Sequence, residues 1–129
     1  MIFDTDVLIW CFRGDAKAAR KIDATTLKQI SVVTLMELLQ GARNQNEQRQ
    51  IRNFLSQAAF VVLPMTDEIG HRASILIEAH ALAGDRQLAD ALIAATVHEH
   101  GATLCTGNAK HYRIIKELDL SVFRPSRGK

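Results

Sequence analysis

The chain is poor in every residue type that staples a small protein together. Only two of its 129 residues are cysteine, Cys11 and Cys105, and only two are proline, Pro64 and Pro125. The cysteines lie in separate apolar runs, so the expectation is two buried thiols in a reducing, cytoplasmic setting and no disulfide. Aromatic residues are 5% of the chain, which excludes a broad platform for stacking bases. No apolar stretch approaches the ~20 residues of a membrane span, so no membrane role is expected. No basic segment precedes the first apolar run, and acids interrupt it, which argues against a signal peptide. Charge of neither sign dominates: 16 Lys and Arg stand against 14 Asp and Glu. That balance permits an anionic partner without selecting one. Linkers, repeats and low-complexity tracts are also missing. With 47% hydrophobic residues, residues 1–129 read as a single domain whose core suffices for folding.

What the chain does have is acid in the wrong place. Its opening, Met1-Ile2-Phe3-Asp4-Thr5-Asp6-Val7-Leu8-Ile9-Trp10, sets Asp4 and Asp6 among residues that want burial. Buried carboxylates need a counter-charge, hydrogen bonds or a metal. No Lys or Arg follows until Arg13.

The hydrophobic pattern alternates short apolar runs with helical periods. Strands are expected at 1–5, 29–33, 60–63, 102–106 and 120–123. Helices are expected at 7–13, from Asp15 to about 21, from Thr34 to about 43, and over 47–58, 67–83 and 88–100. Gly84 and Gly101 act as stops for the last two. The spacing Thr34…Glu37 is that of a capping box. Alternation of this kind predicts an α/β, three-layer fold with a mostly parallel central sheet flanked by helices. Ligands in such folds gather beyond the carboxyl ends of the strands.

On that outline the acids fall at one end. Asp4 and Asp6 end strand one, Glu37 lies one turn into the helix after strand two, and Asp90 is near a helix start. Asn108 follows strand four. Three or four converging oxygen ligands suit Mg²⁺ or Mn²⁺, and the lack of a thiolate or imidazole cluster disfavours zinc. Each residue also has a plainer role open to it. Asp6 reads as the N-cap of the helix at 7–13, and Glu37 as the partner of Thr34. Asp90 suits the helix macrodipole, and Asn108 suits a turn. Asp85 reads as a solvated turn residue. His98 and His100 are two apart on a helix and point away from each other, so they read as an exposed helix end. Lys110, His111 and Arg113 follow the Asn108 loop and are candidates to hold phosphates. Arg43, Arg49 and Arg52 form a second basic group.

Four segments together resemble the motifs of PIN-domain nucleases. They are Asp4-Thr-Asp6-Val-Leu-Ile9; Ser31-Val-Val-Thr-Leu-Met-Glu37-Leu-Leu-Gln-Gly41; Asp90-Ala-Leu-Ile-Ala-Ala-Thr96; and Leu104-Cys-Thr106-Gly-Asn108-Ala-Lys-His-Tyr112. Their order and spacing are similar to those of the small VapC-type toxins, over the whole chain. The resemblance implies a Mg²⁺- or Mn²⁺-dependent ribonuclease, usually a homodimer, held inactive by a cognate antitoxin protein. It implies Asp4, Glu37 and Asp90 as catalytic metal ligands, with Asn108 assisting and Asp90 or Glu37 as general base. An arginine from the antitoxin suits such an acidic pocket. Family members often carry Asn or Ser at the position of Asp6, and some carry Asp at the position of Asn108. The neutral Asn108 weakens the case for a second metal. Two further readings stand beside this one. One is a PIN-like module that binds RNA or protein without turnover. The other is an aspartyl-phosphate phosphatase using Asp4.

Overall fold

The computed structural model describes residues 1–80 and 87–126. The elements run β1 (Ile2–Phe3), α1 (Thr5–Phe12), α2 (Ala16–Ala24), β2 (Gln29–Ser31), α3 (Val32–Gln40), α4 (Gln45–Gln57) and β3 (Val61–Leu63). They continue with α5 (Asp67–Ala79), α6 (Gln87–Glu99), β4 (Thr103–Thr106), α7 (Ala109–Tyr112) and β5 (Asp119–Val122). The five strands form one sheet in the order β3-β2-β1-β4-β5. Every pairing is parallel, with Ile2 beside Gln29 on one side and Leu104 on the other.

Successive strand residues face opposite sides, and that alternation makes three layers. Ile2, Leu63 and Leu104 face a core built with α5 and α6. Phe3, Ile30 and Cys105 face a second core built with α1, α2 and α4. Full burial of a side chain such as Phe3 or Leu104 stabilises the fold by about 1.5–3 kcal/mol. With β1 only two residues long, this packing on both faces is what holds it centrally.

Several helix starts differ from expectation, and each difference matters for the acids. The first strand stops at Phe3 rather than at residue 5, because Asp4 is the N-cap of α1 and its side chain accepts from Thr5 N. Asp6 is therefore not the N-cap; it lies in the first turn of α1. The second strand stops at Ser31, whose hydroxyl accepts from Val33 N and caps α3. Thr34 is thus inside the helix, and the capping box with Glu37 does not form. Asp15 does cap α2, accepting from Ala18 N. Helix α5 closes at Ala79, short of residue 83; the expectations for Gly84 and Asp85 fall outside the described residues.

Candidate active site

Strand order reverses direction at β1. From there the chain steps outward to β2 and β3 on one side and to β4 and β5 on the other. In open parallel sheets the crevice at such a switch point, beyond the strand ends, is where ligands sit. Asp4 is at that point, one residue after β1, and Thr106 ends the neighbouring β4.

Asp4 is 1% exposed. Its Oδ1 accepts from Thr5 N at 2.8 Å and its Oδ2 from the Thr106 hydroxyl at 2.7 Å. Its own N–H donates to Cys105 O at 2.9 Å, which extends the β1–β4 pairing by one bond. The carboxylate is therefore fixed at both oxygens. Asp6 reaches the same loop: its Oδ2 accepts from Gly107 N at 3.0 Å. Gly107 is needed for that approach, since a Cβ there would stand 2.7 Å from Asp6 Oδ2.

Glu37 meets Asp4 through Thr5. The Thr5 hydroxyl donates to Glu37 Oε1 at 2.6 Å and stands 3.0 Å from the Thr34 hydroxyl. Thr34 thus helps to place Glu37 by way of Thr5 rather than by capping. Glu37 is half-buried, whereas Asp4 and Asp90 are buried.

Asp90 is 3% exposed and is held from the α7 turn. The Tyr112 hydroxyl donates to Asp90 Oδ1 at 3.1 Å, and His111 Nε2 lies 2.9 Å from Asp90 Oδ2. His111, expected to contact phosphate, is turned toward this acid. Lys110 and Arg113 are exposed, as is Asn108. Asn108 makes no side-chain cap to α7, and its backbone N–H donates to the Thr106 hydroxyl at 2.9 Å.

In the second basic group one member is already committed to an ion pair. Arg43 forks onto Glu47 through Nε at 2.8 Å and Nη2 at 2.6 Å. Arg49 and Arg52 are exposed along α4. At the end of α6, His98 and His100 are exposed as expected, and Glu99 pairs with Arg72 of α5. That hydrogen bond holds the Glu99 carboxyl below its ordinary range.

Thr5, Thr106 and Tyr112 are the residues that sequence reasoning missed. All three sit inside the quoted motifs, and their hydroxyls are what orient the acids, but only Thr5 adjoins an acid in the sequence. Membership of a motif was the available signal.

A divalent cation needs oxygen ligands, and the donor chemistry here fits. Asp4, Asp6, Glu37 and Asp90 offer only carboxylate oxygens. Cys105, in the strand beside β1, is buried, and burial pushes its thiol up to about 11, so it offers no thiolate to a softer metal. Hydrogen bonds of the kind made to Asp4 and Asp90 use only part of a carboxylate's acceptor capacity and orient the remainder. Among the described residues, however, no three His, Cys, Asp or Glu side chains stand close enough to form a metal-holding group. Asp4 and Glu37 come together at Thr5; Asp90 is tied to α7 instead.

Comparison with known proteins identifies the fold. A family model for the PIN domain matches residues 1–117. Among solved structures, a chain of a toxin–antitoxin complex from Klebsiella pneumoniae is 30% identical, with a TM-score of 0.77. The match covers 91% of this chain and 93% of that one. VapBC2 from Rickettsia felis, bound to a promoter DNA fragment, is 21% identical with a TM-score of 0.78, covering 96% of this chain and 100% of that one. DNA-bound VapBC from Salmonella typhimurium is 20% identical with a TM-score of 0.78, covering 94% and 96%. No curated protein matches. The resemblance carried by the four sequence motifs is thus borne out: the chain belongs to the PIN-domain family.

Proposed function

We propose that this PIN-domain protein is a ribonuclease of the VapC toxin type, which hydrolyses RNA phosphodiester bonds with Mg²⁺ or Mn²⁺ and is restrained by an antitoxin. The observation that carries the reading is Asp4. Asp4 caps α1 and bonds Thr106 of β4; a carboxylate buried at the switch point of a parallel sheet also has acceptor capacity left over that a cation can use.

Asp4 and Glu37, which meet at Thr5, would hold the metal, and Asp90, with Asn108 assisting, would turn from α7 to join them. A bound divalent cation supplies an acidified water and neutralises charge on the phosphate. The chain's own groups do the rest. Thr5 and Thr106 fix Asp4; Tyr112, with His111 alongside, orients Asp90. Glu37 is the only one of the three acids that is not buried, so it takes the proton of the attacking water. Lys110 and Arg113, exposed beyond the Asn108 loop, hold phosphates of the substrate.

The antitoxin has a surface that suits it. A groove of about 800 Å³ between α1, α3 and α4 is lined by Ile9, Phe12, Leu38, Ile51 and Phe54, with Glu37 at its wall. An apolar segment lying there could reach the acids with a basic side chain. Support comes from the solved neighbours, which are toxin–antitoxin complexes. The active form is a homodimer, and sedimentation of the purified chain would test that.

The phosphatase reading fits less well. A nucleophilic Asp4 must reach a substrate phosphorus, and a carboxylate only 1% exposed gives so bulky a group no approach. The non-catalytic module is separated from the nuclease by one assay. Wild type and Asp4→Asn are incubated with a panel of structured RNAs in Mn²⁺ and in EDTA. Cleavage by wild type in Mn²⁺ alone is expected. No cleavage of any RNA by a folded protein would leave the binding module.

A further inference from the structure

A second concave site lies on the opposite flank of the crevice. It is a groove of about 330 Å³ between α2 and the end of β5, lined by Lys17, Arg20, Lys21, Val122, Phe123 and Arg124. Four of the six lining residues are cationic and none is acidic. Among the described residues none of the four takes part in an ion pair. Lys17, Arg20 and Arg124 are exposed and Lys21 is half-buried. Four like charges gathered around a hollow repel one another, and of the four only Lys21, in the last turn of α2, is favoured by the helix dipole.

The groove is built, and it abuts the acids. Helix α2 presents Lys17, Arg20 and Lys21 within a turn and a half, where positions three and four apart share a face. Arg124 is brought to them because the segment after β5 is tied down. The Ser126 N–H and hydroxyl donate to Asp15 Oδ1 at 2.9 and 2.6 Å, and Asp15 caps α2. That buried acid is thus engaged in holding the two walls together. Phe123 at the groove floor donates its N–H to Thr106 O at 2.8 Å. Its carbonyl stands 3.5 Å from where a Cβ on Gly107 would be, and Gly107 binds Asp6. One chain of contacts therefore runs from the cations through Phe123 and Gly107 to the acidic crevice.

We propose that this groove binds backbone phosphates of single-stranded RNA flanking the scissile bond. The proposal rests on the ribonuclease reading for the word scissile, and on the groove itself for the phosphates. A strand leaving the crevice over Gly107 passes next over Phe123, and the cations there meet its phosphates. With few aromatic side chains the hold is electrostatic and does not depend on sequence.

The test is fluorescence anisotropy with labelled single-stranded RNA in EDTA, where cleavage does not interfere. Wild type is compared with the triple variant Lys17→Gln/Arg20→Gln/Arg124→Gln and with the charge-keeping Lys17→Arg/Arg20→Lys/Arg124→Lys. Each phosphate contact on a single strand contributes about 0.7 to the slope of log affinity against log salt, so losing three lowers the slope by about 2. Affinity at low salt is expected to fall at least tenfold in the Gln triple and to survive in the charge-keeping triple. Equal affinity and slope in wild type and the Gln triple would overturn the proposal. So would poly-glutamate competing as well as RNA of equal charge, since the groove would then be a site for acidic protein. Cleavage in Mn²⁺ distinguishes the two readings. The Gln triple should raise KM for long RNAs and leave kcat unchanged. A wild type that binds RNA through the groove and cleaves none contradicts the ribonuclease reading and leaves the phosphate site standing.

Discussion

At the β1–α1 junction, Asp4 is held by a main-chain N–H and by a threonine hydroxyl of the adjacent strand. At the contact between α6 and α7, Asp90 accepts a hydrogen bond from Tyr112 and faces the His111 ring, both on a single-turn helix. The first acid is positioned by elements that define the sheet. The second depends on a four-residue helix and on rotamers. Two carboxylates of one proposed function thus differ in how much of the fold must fail before they move. Asp4 should be rigid, and Asp90 should be the adjustable member.

The largest expected effect removes the acids themselves. Asp4→Asn, Glu37→Gln and Asp90→Asn should each lower RNA cleavage by about 10³-fold or more, since metal-assisted hydrolysis stands to lose several kcal/mol. Single-turnover cleavage in Mn²⁺, with circular dichroism to verify folding, checks each. Near wild-type turnover in a folded variant would remove that residue from the site.

Next come the hydroxyls, which address the comparison directly. A hydrogen bond to a charged group contributes about 1.5–3 kcal/mol. Tyr112→Phe and Thr106→Val each delete one such bond. Asp4 keeps its main-chain donor after Thr106→Val, whereas Tyr112→Phe removes the hydroxyl donor on Asp90 Oδ1. Tyr112→Phe should therefore cost more kcat, although both variants cost comparable stability in urea unfolding. A larger kcat loss in Thr106→Val would reverse the assignment of rigid and adjustable acids.

A smaller effect is expected at Gly107. The methyl of Gly107→Ala would displace Asp6 and cost about 1 kcal/mol for its hydrogen bond. Urea melts should show that loss; an unchanged midpoint would mean that Asp6 moves aside freely.

The smallest concerns Cys105, which pairs with Phe3 in the β1–β4 register. Its thiol titrates near 11 when folded against an ordinary value of 9. The folded pKa is the higher, so this contribution to stability is complete below pH 9 and lost as pH rises through 11. Melting temperature should fall between pH 9 and 11, and less in Cys105→Ala than in wild type. An identical fall in both would assign the alkaline loss to other groups.

The sheet and its order of elements were legible because β-branched runs and helical periods alternate cleanly along the chain. Asp15 as a cap was equally plain. What the sequence did not show was which polar residue starts each helix. Asp4 and Asp6 both suit an N-cap, as do Ser31 and Thr34, and local propensity does not rank them. Tertiary contacts decided it: Asp4 is anchored by β4 through Thr106, and Thr34 is drawn inward to Thr5. The acids were found by their misfit with apolar neighbours. Their orienting partners were not found, since Thr106 and Tyr112 lie 102 and 22 residues away from the acids they serve. The basic groove escaped for the same reason, Arg124 being remote in sequence from α2.

The central claim is that Asp4 and Asp90, differently supported, serve one cation. Thermal melts of wild type, Asp4→Asn and Asp90→Asn in EDTA and in Mn²⁺ test it most directly. A ligand at a hundred times its Kd stabilises the folded state by about 2.7 kcal/mol. Wild type should gain about that much in saturating Mn²⁺, and both variants should lose most of the gain. If Asp90→Asn keeps the full Mn²⁺ response, or melts lower by the same amount with and without metal, Asp90 is a structural acid and the account is contradicted.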